Sequence, residues 1–167
     1  MEIPFNKPYI TSKEIENISK AIANGKLSGD GPFTGLVQKF MEERYGFKKT
    51  LLTTSCTDAL EMSAILANVN SDSEVIIPSY TFVSTANAFA LRGANIVFAD
   101  SEKLTPNIDV SKIESLITPR TKAIVVMHYA GMACDMGKVM EIASKYNLLV
   151  IEDAAQAIGV PCHGQQC

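Results

Sequence analysis

The chain has 167 residues, 47% of them hydrophobic and 20% charged, and a formal net charge of −3. That length supports one compact core, and the slight acidic balance gives no basis for binding nucleic acid or an anionic membrane. No run is apolar and long enough to span a bilayer, and Met1-Glu2-Ile3-Pro4 lacks the basic start and apolar stretch of a signal peptide, so a cytoplasmic protein is expected.

Two amphipathic helices open the chain. Thr11-Ser12 reads as a cap for a helix whose Ile15, Ile18 and Ile22 repeat at three and four, forming one apolar stripe that Gly25 ends. Ser28-Gly29-Asp30-Gly31-Pro32 is a loop, and a second helix over roughly 34–45 is closed by Gly46. The pattern then alternates. Short apolar strands are predicted near residues 50–53, 74–77, 95–98, 123–127 and 148–151, with helices near 58–67, 83–91, 110–116 and 136–146. Such alternation predicts an α/β fold, a mostly parallel sheet with helices on both faces. We place an N-terminal helical arm at 1–46 and the sheet-bearing domain at 47–167.

Cys56, Cys134, Cys162 and Cys167 show no disulfide-framework spacing and are expected to be reduced. Cys162-His163 with Cys167 lacks the paired short spacings of a zinc site, so no metal is expected.

A doubly wound sheet hosts many chemistries, and ligands bind at the carboxyl ends of its strands. Four junctions there carry chemistry. Thr53-Thr54-Ser55-Cys56-Thr57-Asp58 joins a strand to a helix, and its hydroxyls and free amides suit either a phosphate cradle or simple N-capping by Ser55 or Thr57. It has no Gly-rich Walker pattern. In Ile77-Pro78-Ser79-Tyr80-Thr81-Phe82-Val83-Ser84-Thr85, Tyr80 or Phe82 would stack on a planar ring or, taken singly, fill the core. His128, in Val126-Met127-His128-Tyr129-Ala130-Gly131, could contact a ligand or fix a loop; a lone histidine after a strand is more often structural, and it is not assigned as a base. Leu149-Val150-Ile151-Glu152-Asp153-Ala154-Ala155-Gln156 ends a strand on carboxylates, with small residues and an amide beyond. Asp153 is suited to pair with a pyridine nitrogen or to cap the next helix.

Taken in order, these junctions resemble those of the DegT/StrS-type nucleotide-sugar aminotransferases of the fold-type-I pyridoxal 5′-phosphate (PLP) superfamily. The likeness extends to Leu27-Ser28-Gly29-Asp30-Gly31-Pro32 and to the opening Pro4-Phe5 segment. It implies a partial, truncated large domain and PLP as cofactor. Thr57 and Asp58 would hold the cofactor phosphate, chiefly through helix-terminus amides. Phe82 would stack on the ring, Asp153 would pair with the ring nitrogen, and Gln156 would sit by the ring oxygen. The reaction implied moves an amino group from glutamate to a dTDP-keto-sugar, in a homodimer.

The resemblance places the family's Schiff-base lysine beyond Cys167. Lys122, Lys138 and Lys145 lie outside the motif positions, so no catalytic residue is assigned and the chain is expected to be inactive alone. Unpaired strand edges are expected to make it poorly soluble. Two other readings remain open: a lysine-free module with weak PLP or nucleotide affinity, and an unrelated doubly wound nucleotide-binding domain. The lack of a Gly-rich fingerprint counts against the last.

Overall fold

The computed structural model describes residues 2–4, 6–162 and 165–166. The chain divides into two units, one ending at Leu52 and the other beginning at Thr53, where the sequence reading set the division at 46/47. Among the described residues no helix is long and apolar enough to cross a membrane.

The first unit carries α1 (Lys13–Ala23) and α2 (Pro32–Tyr45). The start of α1 differs from expectation. Ser12 makes no side-chain cap. Glu14 instead reaches back and accepts from the Thr11 amide at 3.0 Å and the Thr11 hydroxyl at 2.9 Å. Ile15, Ile18 and Ile22 form the stripe that the spacing predicts, and all three are exposed. Pro32 opens α2, where its missing N–H costs nothing. Gly46 closes it at φ 74°, a left-handed conformation that favours glycine. The predicted strand at 50–53 does not form. Its amides find no ladder, and the Thr50 amide donates instead to Glu42 Oε1 at 2.9 Å. Leu51 and Leu52 stay exposed.

The second unit is a four-stranded parallel sheet of order β2-β1-β3-β4. Its strands are β1 (Glu74–Pro78), β2 (Asn95–Ala99), β3 (Thr121–Met127) and β4 (Leu149–Asp153). Between and before them lie α3 (Cys56–Leu66), α4 (Val83–Ala90), α5 (Val110–Leu116) and α6 (Met136–Tyr146). Side chains alternate across each strand, and the core divides accordingly. Val75, Ile77, Ala123 and Val125 pack under Leu60 and Ala64 of α3 and Ala88 and Phe89 of α4. Ile76, Ile124 and Val126 face the other way, against Val110 and Ile113 of α5 and Val139 and Ala143 of α6. Helices thus cover both faces, and Ala123–Met127 of β3 is buried throughout, as a central parallel strand requires. A short antiparallel hairpin, β5 (Pro161–Cys162) with β6 (Gln165–Gln166), follows. His163 and Cys167 lie outside the described residues, and with them the Cys162-His163 and Cys167 grouping.

Glu74 opens β1 at a register shift and is almost fully buried. Thr118 Oγ1 donates to it at 2.5 Å, and Arg120 forms an ion pair with it. The Thr118 bond first, and then the Arg120 charge, hold its carboxyl below the usual 4.5. The stabilisation this represents is full above pH 4.5 and lost as pH falls through the lower folded value. A Glu74→Gln chain is expected to melt lower at neutral pH and to lose less melting temperature than the parent between about pH 5 and pH 3. Parallel melts across that range measure the difference, and equal acid losses would refute it.

Candidate functional site

All four strands run parallel, so their carboxyl ends share one edge. The chain passes from β1 outward to β2, then returns to place β3 on the other side of β1. That reversal is a topological switch point, where a crevice opens between the loops leaving β1 and β3. Tyr80 follows β1 and Tyr129 follows β3. Their rings lie 5.0 Å apart and their hydroxyls 3.4 Å apart.

Asp153 ends β4 and is 3% exposed. Its Oδ2 accepts from Thr85 Oγ1 at 2.7 Å and its Oδ1 from the Ala155 amide at 3.2 Å. Cys56 Sγ lies 3.6 Å from Oδ1. Thr85 stands in the first turn of α4, and Cys56 is the first residue of α3. The N-termini of two helices therefore meet one buried carboxylate.

At the head of α3, Ser55 caps the helix, its Oγ accepting from the Asp58 amide at 3.2 Å. The first helical bond of α3 is donated by the Ala59 amide to the Ser55 carbonyl at 3.2 Å, so the amides of Cys56 and Thr57, ahead of it, stay available. The Asp58 carboxylate accepts from Thr54 Oγ1, and this bond, followed by that of Ser55, holds it below the usual carboxylate range.

Gln156 ties the ends of β3 and β4 together. Its Oε1 accepts from the Ala130 amide at 2.7 Å, leaving its Nε2 as donor. Ala130 and Gly131 both have positive φ, 51° and 78°. At Gly131 the left-handed φ is what favours glycine, since a Cβ there would meet the Gln156 carbonyl only at van der Waals distance, 3.4 Å. His128 is fully buried. Its Nδ1 accepts from the Cys134 amide at 3.1 Å, and its Nε2 lies 2.8 Å from Glu152 Oε2. With Nδ1 accepting, Nε2 carries the proton and donates to Glu152. This histidine fixes its loop, in line with the sequence reading.

Burial pushes the Cys56 thiol above its usual 9.0, and the Asp153 charge adds to the effect. Iodoacetamide is expected to alkylate Cys56 more slowly than a free cysteine at neutral pH, because the thiolate is the nucleophile. Asp153→Asn is expected to speed the reaction. Mass-spectrometric rates at Cys56 provide the check, and a rate indifferent to Asp153 would contradict the contact.

The sequence profile of the DegT/DnrJ/EryC1/StrS aminotransferase family matches residues 8–167. The chain belongs to this family. It is 35% identical over 159 residues to GDP-perosamine synthase of Caulobacter vibrioides, covering 95% of this chain and 43% of that relative. Among solved structures, the aminotransferase TlmJ of Streptoalloteichus hindustanus matches with a TM-score of 0.90 and 33% identity, over 96% of this chain and 44% of that one. NtdA of Bacillus subtilis with bound cofactor PMP (pyridoxamine 5′-phosphate) matches with a TM-score of 0.85 and 35% identity, over 91% and 36%. This DegT/DnrJ/EryC1/StrS chain thus spans 43% of the length of the curated relative and 36–44% of the two structures.

In this member of the DegT/DnrJ/EryC1/StrS family, the residues singled out from sequence sit at one edge. Thr57 and Asp58 stand beside Cys56 at the head of α3, and Phe82 is the N-cap residue of α4, three before Thr85. Phe82 is 68% exposed and Tyr80 53% exposed. The expectation that either, taken singly, fills the core is therefore wrong, because both lie beyond the end of β1 on the connecting loop. Sequence reasoning assigned no role to Thr85, Cys56, Tyr129 or Asn107, whose Oδ1 accepts from the Tyr129 amide at 3.2 Å. Two lysines pair elsewhere, Lys138 with Asp135 at 2.7 Å and Lys145 with Glu114 at 2.5 Å. Lys122 lies at the opposite, amino end of β3. Those two pairs also line a cavity of about 380 Å³ on α5 and α6.

Proposed function

We propose that the Asp153 edge is the ring-nitrogen and phosphate side of a PLP site. In this reading the chain serves a sugar aminotransferase that moves an amino group from glutamate to a dTDP-4-keto-6-deoxy sugar. The observation that carries this is the convergence of α3 and α4 on the buried Asp153 carboxylate.

The residues fit the group. Three contacts occupy Asp153, and a carboxylate offers about four acceptor sites, so one remains for a protonated pyridine nitrogen. Ala154 and Ala155 leave room for a flat ligand. The amides of Cys56 and Thr57 would hold a phosphate at the positive end of α3; the Asp58 amide, expected from the sequence to join Thr57, is taken by Ser55 Oγ instead. Exposed Phe82 would cover a ring face, and Gln156 Nε2 would donate to a ring oxygen. When bound, the cofactor supplies an electron sink for a carbanion next to nitrogen. Asp153 would keep the ring nitrogen protonated, and so keep that sink strong.

Residues 52–62 and 128–131 look like the corresponding segments of the dTDP-4-amino-4,6-dideoxygalactose transaminase of enterobacterial common antigen synthesis. That likeness supports a dTDP-linked acceptor, glutamate as donor, a cytoplasmic homodimer and a role in cell-surface polysaccharide. The relatives named above support sugar amination in general. Titration of the 167-residue chain with PMP, which needs no lysine for binding, tests the site. Saturable binding that PLP competes away, and that pyridoxamine without phosphate does not, is the expected result. Absence of saturable binding overturns the reading. For the acceptor, the readout is binding to the PMP-loaded chain, which needs no turnover: the dTDP-linked keto sugar is compared with its GDP-linked counterpart, and a preference for the latter would count against dTDP.

A further inference from the structure

Thr85 is fully buried and stands in the middle of a relay of hydroxyls. Thr81 Oγ1 donates to Thr85 Oγ1 at 2.9 Å, and Thr85 Oγ1 donates to Asp153 Oδ2 at 2.7 Å. A threonine hydroxyl has one proton and two acceptor lone pairs. Thr81 occupies one lone pair, so the Thr85 proton is directed at Asp153. The other carboxylate oxygen, Oδ1, meets the Ala155 amide and the Cys56 thiol. The acceptor site left over is therefore on Oδ2, the oxygen that Thr85 holds.

We infer that Thr85, backed by Thr81, is a positioning residue for recognition of a protonated ring nitrogen: its buried hydroxyl fixes the Asp153 carboxylate so that the open Oδ2 site is presented to the ligand. The inference rests on the cofactor reading above. Thr85 acts on the ligand site through the carboxylate it holds, so its influence on a ligand passes through Asp153.

The test is a double-mutant cycle on PMP affinity in the 167-residue chain, with a melting curve for each variant. Thr85→Val is expected to weaken PMP binding about tenfold, the size of one hydrogen bond to a charged group. Thr85→Ser restores the donor and is expected to recover affinity to within about threefold. Thr85→Val combined with Asp153→Asn is expected to bind no more weakly than Asp153→Asn alone, because residues acting through one contact are not additive. Thr81→Val leaves Thr85 in place, gives a smaller loss in the same direction, and serves if Thr85→Val fails to fold. Unchanged affinity in both valine variants, equal losses in the serine and valine variants, or losses that multiply in the double variant would each overturn the inference. PMP binding that is absent from the parent chain, or indifferent to Asp153→Asn, overturns the cofactor reading instead and takes this inference with it.

Discussion

Asp153→Asn is expected to weaken PMP binding by roughly 10- to 100-fold, the range for removing the charge from one hydrogen-bonded ionic contact. The substitution keeps size and shape, and replaces one acceptor oxygen with an NH₂ donor. At 3% exposure, water cannot make up the difference. Thr85 and the Ala155 amide both donate into this carboxylate, so the new NH₂ must face a donor on one side. We expect that mismatch to cost about 1–3 kcal/mol of folding stability. Denaturant curves and PMP titrations on the same samples separate the two effects. Lower stability with unchanged PMP affinity would leave Asp153 as a structural acid and remove it from the site.

Phe89→Ala is expected to cost about 3–5 kcal/mol, the usual range for deleting a buried phenyl ring. Phe89 is 0% exposed and sits in the cluster formed by Leu60, Ala64, Val75, Ile77 and Ala88. It anchors α4 to the sheet one and a half turns beyond the end that presents Phe82 and Thr85. A rigid anchor is what lets Thr85 meet Asp153 across strands, so the same variant is expected to lose PMP affinity without any change at the edge itself. Phe89→Leu keeps most of the volume and is expected to retain binding. Urea unfolding measures the first effect. A cost below about 1 kcal/mol would mean that α4 is not held by this packing.

Both predictions depend on α4, and α4 shows how far the sequence could be read. Its existence, its approximate ends and the strands around it follow from hydrophobic periodicity. Val75–Ile77, Ile96–Phe98 and Ala123–Met127 are apolar runs of strand length separated by helical spacings, and a parallel sheet with helices on both faces is what such a pattern requires. Asp153 was legible for a local reason, since an acid at the end of a buried strand stands out against its own neighbours. The failure at residues 50–53 is instructive in the same terms. Local β-character there is real, but a strand exists only if a neighbouring edge takes up its amides, and the Thr50 amide is taken by Glu42 instead.

The amino-acid sequence by itself determined the α/β class, the two-faced helical cover, the family and the position of the acid at the strand end, because each is written in spacings of a few residues or in contiguous motifs. It could not determine what surrounds that acid. Thr85 is 68 residues from Asp153 in the chain and Cys56 is 97 residues away, and neither differs in type from many other threonines and cysteines. Likewise, whether Phe82 and Tyr80 fill the core or face outward turned on whether the β1 ladder reaches them, which no local pattern records. Only the strand order β2-β1-β3-β4, with α3 and α4 docked on one face, brings Thr85 and Cys56 to one carboxylate. Hydrogen-bond partners across a sheet are chosen by tertiary packing, and packing is a property of the whole sheet rather than of any one segment.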